Sequence, residues 1–302
     1  MKYYIAIPTY NAGDVWRLTV SNIKEYAPQV NVYVIDSSSV DDTKHLAEDA
    51  GFKVLNISGA EFNHGGTRNR LAEETDEEYD VVVFLTQDAI PQPKFLEGII
   101  SAFEDDDVAC VYGRQLPHDD ANPIAQHARY FNYPPNGYIC GKEDIKHMGI
   151  KTVFMSNSFS AYRLSIFKEL GGFPSNTILC EDMYFASKAI LSGYKVAYIS
   201  DSSVQHSHNY NPFEEFARYF DIGVFHKNEA WIRGSIGGAG GEGKKFIISE
   251  FFFLLKNAPL YIPLACLNNF MKILGFKLGQ YYNFLPKRII KKFSMHKRYW
   301  SF

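Results

Sequence analysis

Three groups of polar residues follow runs rich in β-branched and aromatic side chains. Pro8-Thr9-Tyr10-Asn11 follows Tyr3 to Ile7, Asp36 follows Val32 to Ile35, and Thr86-Gln87-Asp88 follows Tyr79 to Leu85. Hydroxyl, amide and carboxylate groups of this kind grip a polar ligand. In an open α/β sheet, ligands bind beyond the carboxyl ends of the strands, so the three groups converge on one crevice. Further along, the acidic pair Glu181-Asp182 opens a helical stretch, where two acids also stabilise a helix N-terminus. His206 and His208 follow a run that ends near Ser200. No G-x-G-x-x-G follows the first run and no Walker loop occurs, which argues against a dinucleotide fold or a P-loop.

The elements that must position these residues read as alternating strands and helices. Strands are expected at 3–7, 32–35, 53–57 and 79–85, with the VVVF of the last fit for a strand buried on both faces. Between them, Trp16, Val20, Ile23 and Ala27 form one stripe of a helix over 14–27. Asp42 is placed to cap a helix through Ala50, and a third helix is expected over 67–74. Such alternation points to an α/β fold with a doubly wound sheet flanked by helices. Residues 117–149, with Pro123, Pro134 and Pro135, read as a long irregular excursion. A strand over 153–162, a helix ending at Gly171-Gly172, a helix over 182–191 and a strand over 195–200 complete the body.

The 302 residues carry 31 Lys and Arg against 34 Asp and Glu, a net charge of −3. That balance argues against a nucleic-acid binder, but it hides a split. From Lys244 onward there are eleven basic residues and one acid, Glu250, which leaves −13 on the rest of the chain. A basic, aromatic extension on an acidic body implies an anionic partner, and a membrane surface is the first expectation. The apolar run Phe246 to Leu255 and the uncharged run Asn257 to Met271 are too short or too interrupted by proline to span a bilayer, so they are expected to lie on one. The alternative is a helical subdomain packed on the body. Four scattered cysteines, Cys110, Cys140, Cys180 and Cys266, form no zinc pattern and are expected to be buried, reduced thiols. MKYYIAIPTYN has no long apolar core or cleavage site, so no signal peptide is expected.

The ordered set IPTYN, VIDSSSVDDT, GTRN, FLTQDA, GGF, CED and a His after a strand resembles the family-two glycosyltransferases of the GT-A fold, over roughly residues 3 to 225. The wording TQDAIP, GGTRNR, HSHNY and RYFDIGVFH is similar to bacterial rhamnosyltransferases of polysaccharide and O-antigen assembly, which use dTDP-β-L-rhamnose and invert the anomeric centre. The resemblance implies a GT-A type mixed sheet and a nucleotide-sugar site made by Pro8, Thr9, Tyr10, Asp36, Arg68, Thr86, Gln87 and Asp88. It gives Asp36 the pyrimidine N3–H, Arg68 the diphosphate, and Asp88 a divalent metal, Mn2+ or Mg2+. Thr86 stands where the family has the first Asp of D-x-D. His206, chosen over His208, would be the second metal ligand, and imidazole favours Mn2+. Asp182, beside Glu181, would be the general base. Ser158, Ser160 and Arg163 fall where acceptor and donor-sugar pockets form, and Trp231 is an aromatic able to stack on sugar.

The resulting expectation is an inverting transferase that moves L-rhamnose onto a lipid-linked glycan at the cytoplasmic face of the cell membrane. Residues 1–236 would form the transferase domain, with nucleotide- and acceptor-binding halves near 1–115 and 116–236. Residues 237–302 would form a Gly-rich hinge and a basic amphipathic helical extension for membrane association, and a second copy of the chain is a further expected partner. A UDP-hexose donor and a non-catalytic glycan-binding homologue are the alternatives. Nucleotidyl transfer fits poorly, because PTYNAGD lacks a basic triphosphate-gripping loop.

Overall fold

The computed structural model describes residues 1–75, 77–238 and 241–300. In chain order the first half comprises β1 (Tyr3–Thr9), α1 (Asp14–Tyr26), β2 (Val32–Asp36), α2 (Thr43–Asp49), β3 (Lys53–Asn56), α3 (His64–Glu73), β4 (Val81–Leu85), β5 (Ile90–Pro91), α4 (Glu97–Ser101), β6 (Val108–Leu116), α5 (Pro123–Asn132), β7 (Tyr138–Cys140) and α6 (Ile145–Met148). The second half comprises β8 (Phe159–Arg163), α7 (Leu164–Glu169), α8 (Glu181–Leu191), β9 (Lys195–Gln205), α9 (Pro212–Asn228), α10 (Ala230–Ile236), α11 (Glu242–Asn257), α12 (Ile262–Gln280) and α13 (Lys287–Phe293).

The strands form one mixed sheet in the order β3-β2-β1-β4-β8-β6-β9-β5, with β7 also on β9. β3, β2, β1 and β4 run parallel, whereas β8 is antiparallel to both β4 and β6. Side chains alternate between two cores, as the strand period requires. Tyr4, Ala6, Val82 and Phe84 enter one; Ile5, Ile7, Val81, Val83 and Leu85 enter the other. The expected α1 stripe of Trp16, Val20, Ile23 and Ala27 is buried on the second.

Four local expectations change. Residues 149–153 form a 3-10 turn and the strand starts only at Phe159. Its partner β4 ends at Leu85, and one further backbone bond, from the Thr86 amide to the Ser158 carbonyl at 3.3 Å, closes the ladder. Asp42 stands at the N-cap position of α2 but makes no side-chain capping bond; its carboxylate pairs with Arg17, while Asp41 accepts from the Thr43 amide at 3.1 Å. The excursion over 117–149 contains α5, started by Asn122 as N-cap and Pro123 at the first position, a recognised start signal. Finally, all four thiols are free, but Cys180 is half-buried and Cys266 exposed.

The C-terminal helices dock on the body, and α12 lies along α9. Here glycine decides the approach. A Cβ at Gly279 would overlap the Phe220 carbonyl, and one at Gly275 the Phe216 carbonyl, so the two backbones touch. Gly279→Leu is therefore expected to cost about 1–3 kcal/mol by overpacking, seen as a lower thermal midpoint and faster proteolysis beyond residue 241. Of the stretch 237–243 expected to be a hinge, Ala239 and Gly240 lie outside the described residues. Among the described residues no helix is long and apolar enough to cross a membrane.

Candidate active site

The carboxyl ends of β1, β2 and β4 do meet. Thr9 is buried and its hydroxyl donates to Asp36 Oδ1 at 3.0 Å. Ser39 donates to the same carboxylate through its hydroxyl at 2.6 Å and its amide at 2.8 Å. Three of roughly four acceptor directions are thus filled, which leaves Asp36 with about one for a ligand. Tyr10 is exposed beside it. Gln87 clamps the Tyr10 backbone from both sides, accepting from its amide at 2.8 Å and donating to its carbonyl at 3.2 Å. This clamp ties the β1 exit to the turn Thr86-Gln87-Asp88, which the Ala89 amide closes on the Thr86 carbonyl. Pro8, one residue earlier, is part of β1.

Asp88 faces two imidazoles. Its Oδ2 lies 3.5 Å from His206 Nε2 and 3.7 Å from His208 Nε2, and the three possible ligand atoms all fall within 4.8 Å of one another. Burial disfavours the Asp88 charge, but His206 and His208 outweigh it and hold the carboxyl well below its usual range. Burial, with His206 nearby, lowers His208 to about 4, so its ring is neutral at pH 7. The tautomer of His206 is fixed from behind. Its Nδ1 donates to Gln115 Oε1 at 2.9 Å, and Arg129 donates to the same oxygen at 2.6 Å. Nε2 is therefore the nitrogen turned toward Asp88, and an outer partner on the other ring nitrogen is what metal-ligating histidines need. One carboxylate and two imidazoles fit a divalent cation, with more nitrogen than Mg2+ prefers.

The acid pair is presented by Cys180, whose φ of 59° turns the chain into α8. Asn11, just beyond β1, and Ser38, in the loop after Asp36, also have positive φ, at 43° and 65°. Three of the four non-glycine residues with positive φ among the described residues thus lie around this crevice, the fourth being Lys94. Glu181 is buried, lies 3.2 Å from Arg68 Nη1 and accepts from Asn157 Nδ2 at 2.8 Å. Burial opposes its charge, yet Arg68 keeps Glu181 below the normal carboxylate range. Asp182 has the opposite fate. It keeps partial solvent access, but crowding by protein and the neighbouring Glu181 charge push it up to about 7. Its Oδ2 accepts from the Asn157 amide at 3.1 Å.

Three consecutive residues join these parts. Ser156 accepts from Gln115, the holder of His206; Asn157 holds both Glu181 and Asp182; the Ser158 carbonyl accepts from the Thr86 amide. Asn157 also accepts from Ser160 and Tyr162 at 2.8 and 2.7 Å. Asn157→Ala takes the acceptor from the buried Ser160 and Tyr162 hydroxyls and leaves Glu181 with Arg68 alone; it is expected to lower stability by about 1–3 kcal/mol, with reduced turnover, measured by thermal unfolding and initial rates.

Ser158 thus sits at the crevice, whereas Ser160 is fully buried beneath it as a donor to Asn157. Arg163 is not brought there. It pairs with Val81 at the far end of β4 and donates to the Phe103 and Asp105 carbonyls. Trp231 packs edge-on against Tyr184, two residues after Asp182, with centroids 5.3 Å apart. Arg68 faces Glu181 and the His64 carbonyl from a buried position. His208, Gln115, Arg129 and Asn157 were not singled out as site residues. HSHNY carried a signal for His208 and Asn157 lies within SNSFSAYR, whereas Gln115 on β6 and Arg129 on α5 have no motif of their own.

A mixed sheet with a parallel nucleotide-side half, and a carboxylate turn leaving its central strand toward a buried acid pair, is the architecture of GT-A type glycosyltransferases. The chain belongs to glycosyl transferase family 2, whose model matches residues 4–171. The O-antigen chain rhamnosyltransferase WbaN of Salmonella anatum is 54% identical over 303 residues, covering 99% of this chain and 96% of that protein. The O-antigen chain rhamnosyltransferase RfbN of Salmonella typhimurium (strain LT2) is 52% identical, covering 100% and 96%. Among solved structures, the mannosyltransferase PcManGT of Pyrobaculum calidifontis, in complex with GDP-Man and Mn2+, superposes with a TM-score of 0.57 at 18% identity, covering 99% of this chain and 84% of that one. S. aureus TarS 1–349 gives 0.54 at 17% identity, covering 98% and 84%. The resemblance read from the motifs holds, and the protein is a glycosyltransferase.

Proposed function

We propose that the protein transfers L-rhamnose from dTDP-β-L-rhamnose to a hydroxyl of a lipid-linked glycan, with inversion. The observation that carries this reading is the segment Ser156 to Ser158, which ties the Asp88 turn and the support of His206 to Asp182. In the reaction Asp182 accepts the proton of the acceptor hydroxyl while that oxygen attacks C1 of the sugar. The bond from C1 to the diphosphate oxygen breaks on the opposite face, and the nucleoside diphosphate leaves. Asp36 and Thr9 bind the base, with Tyr10 and Gln87 beside them. Asp88, His206 and His208 would hold a divalent cation, Mn2+ by preference, which when bound neutralises charge on the departing diphosphate. Glu181, paired with Arg68, stays ionised and keeps Asp182 basic enough to act near pH 7. The names of WbaN and RfbN support rhamnose and O-antigen assembly.

The test is calorimetric titration with dTDP-rhamnose, UDP-glucose and UDP-galactose, each with and without Mn2+. Preference for dTDP-rhamnose supports the proposal, and tighter binding of a UDP-sugar overturns the donor.

We place residues 1–236 as the catalytic part and 237–302 as a docking part on the inner face of the cell membrane. Phe251, Phe252 and Leu255 on α11, with Leu264, Leu267, Phe270 and Ile273 on α12, form exposed stripes at helical spacing. Phe252 and Phe270 are 63% and 59% exposed, far from the burial a soluble helix face needs. Lys256, Lys277, Arg288, Lys291 and Lys292 are exposed on the same extension, and each basic residue near anionic lipid contributes about 1 kcal/mol. Cosedimentation with phosphatidylglycerol vesicles is expected, and Phe252→Asp with Phe270→Asp should abolish it without loss of nucleotide binding. Self-association of the wild type without vesicle binding would assign the face to a second copy of the chain instead.

A further inference from the structure

The segment Ser294 to Trp300 turns back from the C-terminal helices and crosses the donor crevice. Its anchors are specific. The Met295 and His296 amides donate to Asp221 Oδ2 at 2.9 and 3.0 Å, and Trp300 is buried. His296 meets His64, at the start of α3, at 3.3 Å. Tyr299 donates to the Asn176 carbonyl at 3.0 Å, in the loop that leads to Glu181. Between these anchors Arg298 projects over the Tyr10 ring, 5.2 Å from its centroid. Its guanidinium donates to the Gly59 carbonyl at 3.2 Å and reaches the Tyr10 hydroxyl at 3.4 Å.

We propose that Arg298 is a donor-binding residue, and that its guanidinium takes the phosphate oxygens of the nucleoside diphosphate. This rests on the nucleotide-sugar reading above. Four observations support it. Arg298 sits on residues that follow β1 and β3, at the carboxyl edge where an open α/β sheet takes its ligand. The ring beneath it belongs to the residue that Gln87 clamps, and Gln87 directly precedes Asp88 of the carboxylate–imidazole cluster. Arg298 is exposed and meets only a carbonyl, a hydroxyl and a ring, with no carboxylate partner among the described residues. Arg68, by contrast, is buried against Glu181. Arg298 is therefore a cation available to meet a diphosphate at this mouth, and a planar fork suits phosphate oxygens. The same segment joins the proposed membrane face to the donor crevice, so membrane docking and donor binding share one anchor.

The experiment measures binding of thymidine diphosphate and of thymidine to the full chain, and the donor KM, for wild type, Arg298→Gln, Arg298→Lys and Lys297→Gln. Arg298→Gln is expected to weaken thymidine diphosphate at least tenfold and raise the donor KM similarly, with kcat within about twofold. Thymidine binding should be unchanged, Arg298→Lys should recover part of the loss, and Lys297→Gln should behave as wild type. Unchanged diphosphate affinity in Arg298→Gln, or equal losses for thymidine and its diphosphate, would overturn the assignment. Failure of the wild type to bind either nucleotide would instead reject the donor reading itself, and this inference with it.

Discussion

Asp182→Asn is expected to bind the donor normally and to turn it over about 10²- to 10⁴-fold more slowly, the range of a lost general base. The amide keeps the volume and still accepts from the Asn157 amide, so the crevice stays in place while the proton acceptor disappears. The wild-type pH–rate profile carries the same information. With Asp182 pushed up to about 7 by burial and by Glu181, the base is protonated below that pH, and kcat should fall as pH drops through it. Glu181→Gln removes the neighbouring charge, so the acidic limb should move to lower pH. Stability runs the other way. Between the unfolded carboxylate value, about 4, and about 7, the native state holds a proton that the unfolded chain releases. Raising pH through that window therefore favours unfolding. Asp182→Asn should raise the thermal midpoint at pH 8 and have less effect at pH 5. A variant with full turnover at pH 8 would remove Asp182 from the mechanism.

The strand ends were readable because chemistry and periodicity coincide there. A run such as VVVF fits an interior strand, and in an open α/β sheet Asp36 and Asp88 then emerge at the same edge as Thr9. What pattern could not supply was the long-range partner. Nothing around Asn157 marks it as the residue that holds Glu181 and Asp182, because that role depends on the turn that enters β8 lying beside the start of α8. Arg163 shows the converse. It lies in the same SNSFSAYR stretch as Ser158, but five residues of extended strand carry it toward the opposite edge of the sheet. The C-terminal extension was legible as basic, aromatic and non-spanning. Its docking through Gly275 and Gly279 was not, since a glycine in a helix is silent until its neighbour is known.

The proposed metal site at Asp88, His206 and His208 gives the other large effect. Asp88→Ala and His206→Ala are each expected to abolish Mn2+-dependent transfer at micromolar metal, because each removes one of three converging ligand atoms. His206→Ala should be the more severe of the two histidine variants. His206 is 8% exposed and oriented by Gln115, whereas His208 is 36% exposed and has looser surroundings. The orientation itself can be tested without touching a ligand. Gln115→Leu removes the acceptor that keeps the His206 proton on Nδ1, and loss of such a partner typically costs 10- to 100-fold in metal affinity. That variant should therefore be rescued by raising Mn2+ into the millimolar range, while Asp88→Ala should not. Titration of Mn2+ by its electron spin resonance signal reads affinity directly, independently of turnover. A chelator-treated wild type that keeps full activity would show that Asp88 and the two histidines serve the nucleotide without a cation, and Thr86 in place of the first family aspartate would then mark that departure.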